Sequence, residues 1–270
     1  MVGLDRVKQQ FNTLINRAKI DEARKERGEP VRDRTMHLVF AGPSGTGKTT
    51  AAKLIAEAYS AIGLVKKKEL VEISGRDLVN PYEGGTATQV TEIFDRAKNG
   101  VLFIDEAYAM VNGHQDTPGL EALNQFLKLA EDRRDNTVVI LAGYSGGDGS
   151  EDVVEYLNQF NKGMSSRFPT RIPFDSYNAQ ELAQIGVSML GEHSKFADDA
   201  AKKAFKRAAK IAGGSKDNPL NARGVRSLVE AIWNAQSDRL VREGGYRNRS
   251  KDLNTITVED IKSGLDGLAV

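Results

Sequence analysis

At 270 residues the chain is long enough for one large domain or two smaller ones, and its 40% hydrophobic and 28% charged content is ordinary for a folded protein in water, which excludes a disordered or membrane-embedded class. With 38 basic and 37 acidic residues and a net charge of +1, global electrostatics gives no reason for tight binding to nucleic acid or a membrane surface. The chain has 0 cysteines, so disulfides, thiolate metal sites and a catalytic thiol are excluded, and a reducing compartment fits.

The N-terminus, Met1 to Asp5, runs at once into mixed charged and apolar residues, with no basic stretch leading into an apolar run. No secretion signal is expected there, and no apolar run approaches the roughly 20 residues that span a bilayer. A cytoplasmic protein is the expectation. Arg17 to Arg34 is dense in mixed charge and reads as a solvated helix and loop. Met36 to Ala41 then reads as a short strand ending at a glycine-rich turn, and Lys48 to Tyr59 as a helix whose Ala51, Ala52, Leu54, Ile55 and Ala58 share a face. The alternation continues with strand Leu70 to Ile73, helix Ala87 to Ala97, strand Val101 to Ile104 and helix Leu120 to Ala130. Strand Thr137 to Gly143, helix Asp152 to Phe160 and strand Arg171 to Phe174 complete it. This order predicts an α/β domain over residues 1–175, with a five-stranded parallel sheet covered on both faces.

After Asp175 no strong strand pattern appears, so residues 176–270 read as a smaller all-α domain. Its helices are expected over Ala179 to Leu190, Asp198 to Ile211 and Ala222 to Val241, with a short one capped by Thr257. Lys203, Lys206, Arg207 and Lys210 share one helix face and read as a solvent-facing stripe.

Two motifs carry chemistry. Gly42, Pro43, Ser44, Gly45, Thr46, Gly47, Lys48 and Thr49 match the P-loop pattern G-x-x-x-x-G-K-[ST] between a predicted strand and a predicted helix. Glycines let successive N–H groups turn toward phosphates, and the helix that follows directs its positive end to the same place. Lys48 is expected to neutralise phosphate charge and Thr49 to bind Mg²⁺; Thr50 completes the expected ATP-binding run. The strand Val101 to Ile104 ends in Asp105 and Glu106, a Walker B pattern at the carboxyl end of a buried strand, where ligands of α/β sheets sit. Asp105 would hold Mg²⁺ through water, and Glu106 would orient and deprotonate the attacking water.

Together with the opening Gly3 to Lys8, the runs VLFIDEAY (101–108) and VVILAGY (138–144), Ser166, Arg167 and Phe168, and NARGVR (221–226), these motifs resemble the AAA+ ATPases. Within them they resemble the group of the red-type Rubisco activase CbbX, the sporulation protein SpoVK and the secretion ATPase EccA. The resemblance implies an AAA+ core followed by a helical lid, and a homo-oligomeric ring, expected to be a hexamer. It implies that Arg167 is an arginine finger reaching the neighbouring subunit's ATP, with Arg171 as the competing residue. It implies that Arg223 is the sensor 2 arginine on the lid, with Arg226 as the alternative. Tyr82, Glu83 and Gly84 fall where related unfoldases carry an aromatic pore loop that grips polypeptide, and Val111 to Pro118, with His114 and Asp116, is placed as a second such loop. Two departures stand out: Tyr144 occupies the sensor 1 position, where many relatives have asparagine or threonine, and Ser165 stands where an arginine often precedes the finger.

The function expected is an ATP hydrolase that remodels or threads a protein partner. The alternative is an AAA+ ATPase serving nucleic-acid transactions, against which the near-neutral charge and the lack of a recognisable DNA-binding module count.

Overall fold

The computed structural model describes residues 2–31, 35–82, 84–143, 153–191, 194–215, 218–244 and 252–268. The described residues fall into two compact units, one drawn from Asp5–Gly42 and Lys48–Phe174, the other from Met1–Leu4, Pro43–Gly47 and Asp175–Val270. Among them no helix is long and apolar enough to cross a membrane.

The first unit is built on a parallel sheet of β1 (Leu38–Ala41), β2 (Leu70–Ser74), β3 (Val101–Asp105), β4 (Val138–Gly143) and β5 (Thr170–Pro173), in the order β2-β3-β4-β1-β5. Because successive side chains alternate between faces, a sheet covered on both sides must be apolar at every position. In β3 and β4 this is what the sequence supplies: Val101 to Ile104 and Val138 to Ala142 are all buried. One face, with Val39, Leu102, Ile104, Val139 and Leu141, packs with Phe94, Leu123 and Phe126. These belong to helices α3 (Thr86–Arg96) and α4 (Thr117–Asp132). On the other face Phe40 touches Phe103 and Phe174, and also Phe11 of α1 (Asp5–Glu26), while α2 (Lys48–Ala61) packs against β3. Two short helices, α5 (Val153–Asn158) and α6 (Met164–Arg167), lead to β5. Parallel pairing sets all carboxyl ends at one edge, so Ala41, Asp105 and Gly143 finish their strands together there.

Several spans differ from the sequence expectation for local reasons. The helix expected from Leu120 begins at Thr117, because Asp116 caps it through Gly119 N–H at 3.0 Å and Pro118 sits in the first turn, where a missing N–H costs nothing. Thr117 and Pro118 therefore leave the expected second pore loop, which is shorter than the sequence suggested. The helix expected over 152–160 is cut to α5, with Asp152 outside the described residues.

The second unit packs α7 (Ala179–Leu190), α8 (Asp199–Ala212), α9 (Asn221–Arg242) and α10 (Val258–Asp266) around Phe205, Val225, Leu228 and Ile232. A Cβ at Gly224 would overlap the Ala212 carbonyl oxygen, so glycine is what lets α9 cross the end of α8. Thr257 caps α10 as expected, accepting from Asp260 N–H at 3.3 Å while Asp260 accepts from Thr257 N–H at 2.8 Å. Asp260 is also buried against Arg239, which donates two hydrogen bonds of 2.8 and 3.0 Å. Burial opposes its ionisation, but the Arg239 and Thr257 hydrogen bonds outweigh that and hold the carboxyl below the usual range. The unit is helical, as the sequence suggests, with one small addition: β6 (Lys195–Phe196) and β7 (Thr255–Ile256) pair in parallel. Strands of two residues have no period to read. Lys203, Lys206, Arg207 and Lys210 are all exposed along α8, as expected of a solvent-facing stripe.

One buried polar group of the sheet unit makes its stability depend on pH. His37, 1% exposed, places Nε2 2.9 Å from the Ala130 carbonyl, and its Nδ1 accepts from Val139 N–H at 3.1 Å. Only the neutral ring satisfies both bonds, and burial lowers its pKa to about 4 from 6.5. Above pH 6.5 folded and unfolded chains are both neutral here. Between 6.5 and 4 the unfolded chain takes up a proton that the folded one refuses, so stability falls as pH falls, by about 3 kcal/mol in all. Denaturant titrations from pH 7 to 4 should show this loss, and in His37→Gln the slope over that window should be shallower; equal slopes would exclude His37 as the cause.

Candidate active site

In the sheet unit the chain leaves β1 through Gly42, where a Cβ would overlap the Phe174 carbonyl. Lys48 opens α2, and its Nζ donates to the Gly42 carbonyl at 2.8 Å. Thr49 is half-buried and Thr50 exposed on the first turn of α2. Asp105 closes β3, and its Oδ1 accepts from Glu106 N–H at 2.9 Å. Glu106 itself adopts φ 48 and ψ 44, a left-handed conformation that costs a non-glycine residue about 1 kcal/mol. That turn ends the strand abruptly and leaves the Glu106 side chain exposed beside Asp105. Tyr108, two residues on, lies against Gly143. Burial raises its phenol's pKa first, and the carboxylates of Glu106 and Asp105 add to the effect. The sequence reading did not single Tyr108 out, although it is the last residue of the VLFIDEAY run. Tyr144, which follows Gly143, lies outside the described residues.

Arg167 ends α6 and folds back on its own chain. Its Nη1 donates to the Gly163 carbonyl at 3.2 Å, and Nε lies 3.5 Å from Glu131 Oε2, a charge contact without hydrogen-bond geometry. Arg171 on β5 lies 3.8 Å from Glu155. In the loop ahead of α3, Tyr82 is 80% exposed, and its N–H donates to Asn80 Oδ1 at 2.8 Å. Asn80 is in turn fixed by donation to Gln89 at 2.8 Å. Gly84, at φ 76, completes the turn; Glu83 lies outside the described residues.

In the helical unit, the segment Pro43–Gly47 is held by three groups. Asn221 Nδ2 donates to the Ser44 carbonyl at 3.0 Å, Ala222 N–H to the Gly45 carbonyl at 3.1 Å, and Tyr177 Oη to the Thr46 carbonyl at 2.9 Å. Asn221 Oδ1 also accepts from Tyr177 N–H at 3.0 Å. Inside the loop, buried Thr46 donates its hydroxyl to the Pro43 carbonyl at 2.9 Å. A Cβ at Gly45 would overlap the Leu220 carbonyl and lie 3.1 Å from Arg223 N, so the backbone of Arg223 runs beside the loop. The Arg223 and Arg226 side chains are both exposed. Burial, with Glu181 nearby, pushes the Tyr177 phenol up to about 12, so it stays a hydrogen-bond donor at neutral pH. Tyr177 and Asn221 were not foreseen as site residues. Asn221 did leave a signal, because asparagine is among the few non-glycine residues that take positive φ readily, and it stands here at φ 52.

Comparison with known proteins agrees with this architecture. Residues 38–174 match the family model described as ATPase family associated with various cellular activities (AAA), and residues 178–268 match the AAA lid domain. The ESX-1 secretion system protein EccA1 of Mycolicibacterium smegmatis is 37% identical over 275 residues, covering 98% of this chain and 47% of that protein. The ESX-3 secretion system protein EccA3 of Mycobacterium tuberculosis is 36% identical over 283 residues, covering 99% of this chain and 44% of that protein. The chain thus spans about half the length of these curated relatives. A crystal structure of the FIGL-1 AAA domain in complex with ADP superposes with a TM-score of 0.62 at 19% identity, covering 97% of this chain and 81% of that one, a likeness of fold. The sheet order, the loop from β1 to α2, the acidic pair ending β3 and the helical unit after residue 175 thus converge with the matched models, and the chain belongs to the AAA family of ATP hydrolases, with an AAA lid domain following its core.

Proposed function

We propose that the chain is the subunit of a cytoplasmic ring, a hexamer by resemblance, that couples ATP hydrolysis to remodelling or threading a protein partner. Gly42 to Thr50 hold the nucleotide phosphates through backbone N–H groups and Lys48. Thr49 and Asp105 offer hard oxygen donors on α2 and at the end of β3, two elements in contact within one unit, which suits Mg²⁺, a cation that takes few protein ligands. Bound there, Mg²⁺ would offset phosphate charge. Glu106 accepts the proton of the attacking water, Tyr144 takes the sensor 1 role, and Arg223 senses the nucleotide from the lid. Arg167 completes the neighbour's site. On this reading residues 1–175 form the AAA+ core and residues 176–270 the lid.

The observation that carries a polypeptide partner is Tyr82: a large aromatic side chain left 80% exposed on a loop whose neighbours are pinned by Asn80. Such a ring grips chains of any sequence by apolar contact. That the relatives are named as secretion system proteins supports the same choice. The test is ATPase rate with and without casein as an unfolded polypeptide. Casein should stimulate the wild type several-fold, and in Tyr82→Ala the ratio of the two rates should fall to about one. Stimulation by DNA that weakens steeply with salt, with none by casein, would instead favour a nucleic-acid role.

A further inference from the structure

The grip on residues 43–47 has a consequence for phosphate binding. A peptide group is planar, and its C=O and N–H point in opposite directions. The carbonyls of Ser44, Gly45 and Thr46 are each tied to the helical unit, by Asn221, Ala222 and Tyr177. Fixing those three carbonyls aims the N–H groups of Gly45, Thr46 and Gly47 the other way. None of these N–H groups has a partner among the described residues, and Gly45 and Gly47 have φ of 74 and 90. Consecutive N–H groups turned to one side form a nest for an anion.

We propose that Tyr177 and Asn221 are positioning residues for the triphosphate, which preset this nest by holding the Ser44 and Thr46 carbonyls from behind. The choice of asparagine at 221 carries the argument further. Its φ of 52 would suit glycine better, yet the side chain is 1% exposed and uses both ends of its amide, one on Ser44 and one on Tyr177. A loop ordered in advance binds without the cost of ordering at that moment. This inference rests on reading Gly42 to Thr49 as the phosphate loop.

The test uses the full chain with Tyr177→Phe, which deletes one hydroxyl, and Asn221→Gly, which keeps the positive φ and deletes the amide. For each, Kd for Mg-ATP and Mg-ADP and KM for ATP should rise about three- to tenfold, the effect of one hydrogen bond, while kcat at saturating ATP stays within about twofold because bound phosphates then order the loop. Melting temperature without nucleotide checks that the variants are folded, and Tyr177→Phe serves if Asn221→Gly is not. Unchanged Kd and KM, or a fall in kcat at unchanged KM, overturns the proposal. Lys48→Ala separates this from the underlying reading. If it binds ATP like the wild type, the phosphate loop is misassigned and the positioning roles fall with it; if only Lys48→Ala loses binding, the positioning roles alone fall.

Discussion

Replacing Glu106 with Gln is expected to slow ATP hydrolysis about a thousandfold while ATP remains bound, since removing a general base removes a factor of roughly 10² to 10⁴. The structure makes the substitution clean. The Glu106 side chain is exposed, and the hydrogen bonds at this position use its backbone, the N–H donating to Asp105 Oδ1 at 2.9 Å and the carbonyl accepting from Ala109 N–H at 2.8 Å, both of which Gln keeps. Gln pays the same backbone cost as Glu at φ 48, so the turn after β3 should hold. Lys48 and the loop are untouched, and affinity for Mg-ATP should stay within about twofold, because the lost carboxylate faces water rather than phosphate in this reading. Phosphate release under multiple turnover, with equilibrium ATP binding on the same preparation, checks both halves. A normal rate would remove Glu106 as the base. Loss of binding together with rate would instead give it a structural or metal-holding role.

The sheet was legible because its strands are buried on both faces, so Val101 to Ile104 and Val138 to Ala142 announce themselves as unbroken apolar runs ended by Asp105 and by Gly143 and Tyr144. Thr257 and Asp260 were legible for a different reason: a capping box is a local contact with fixed spacing. What the sequence hid depends on distance along the chain. Tyr177 reaches Thr46, and Asn221 reaches Ser44, across well over a hundred residues, so no periodicity connects them. His37 reads as the second residue of a strand, and its neutral, doubly bonded state follows only from where Ala130 and Val139 are placed. For Arg167 the resemblance offered a role, but the resting partners Glu131 and Gly163 came from the fold.

Those partners shape the second large effect expected. Arg167→Ala should reduce hydrolysis by the assembled protein about a thousandfold, the low end for loss of an arginine that stabilises phosphoryl-transfer charge. Its present contacts are weak tethers. The Glu131 contact, at 3.5 Å, lacks hydrogen-bond geometry, Glu131 already accepts from Arg134 at 3.0 Å, and the Arg167 side chain is 30% exposed. Such an ion pair is worth about 0 to 1 kcal/mol, so a neighbour's phosphate can displace it, and losing it should barely move the melting temperature. The residue's action in trans gives the decisive measurement. Lys48→Ala subunits lack the ATP grip but keep Arg167, whereas Arg167→Ala subunits keep the grip and lack the finger. Mixed, they should form some complete sites and regain activity that neither shows alone. If the mixture stays at the sum of its parts, Arg167 does not act between subunits. If Arg167→Ala hydrolyses ATP at the wild-type rate, the role passes to Arg171, whose Nη1 lies 3.8 Å from Glu155 Oε1.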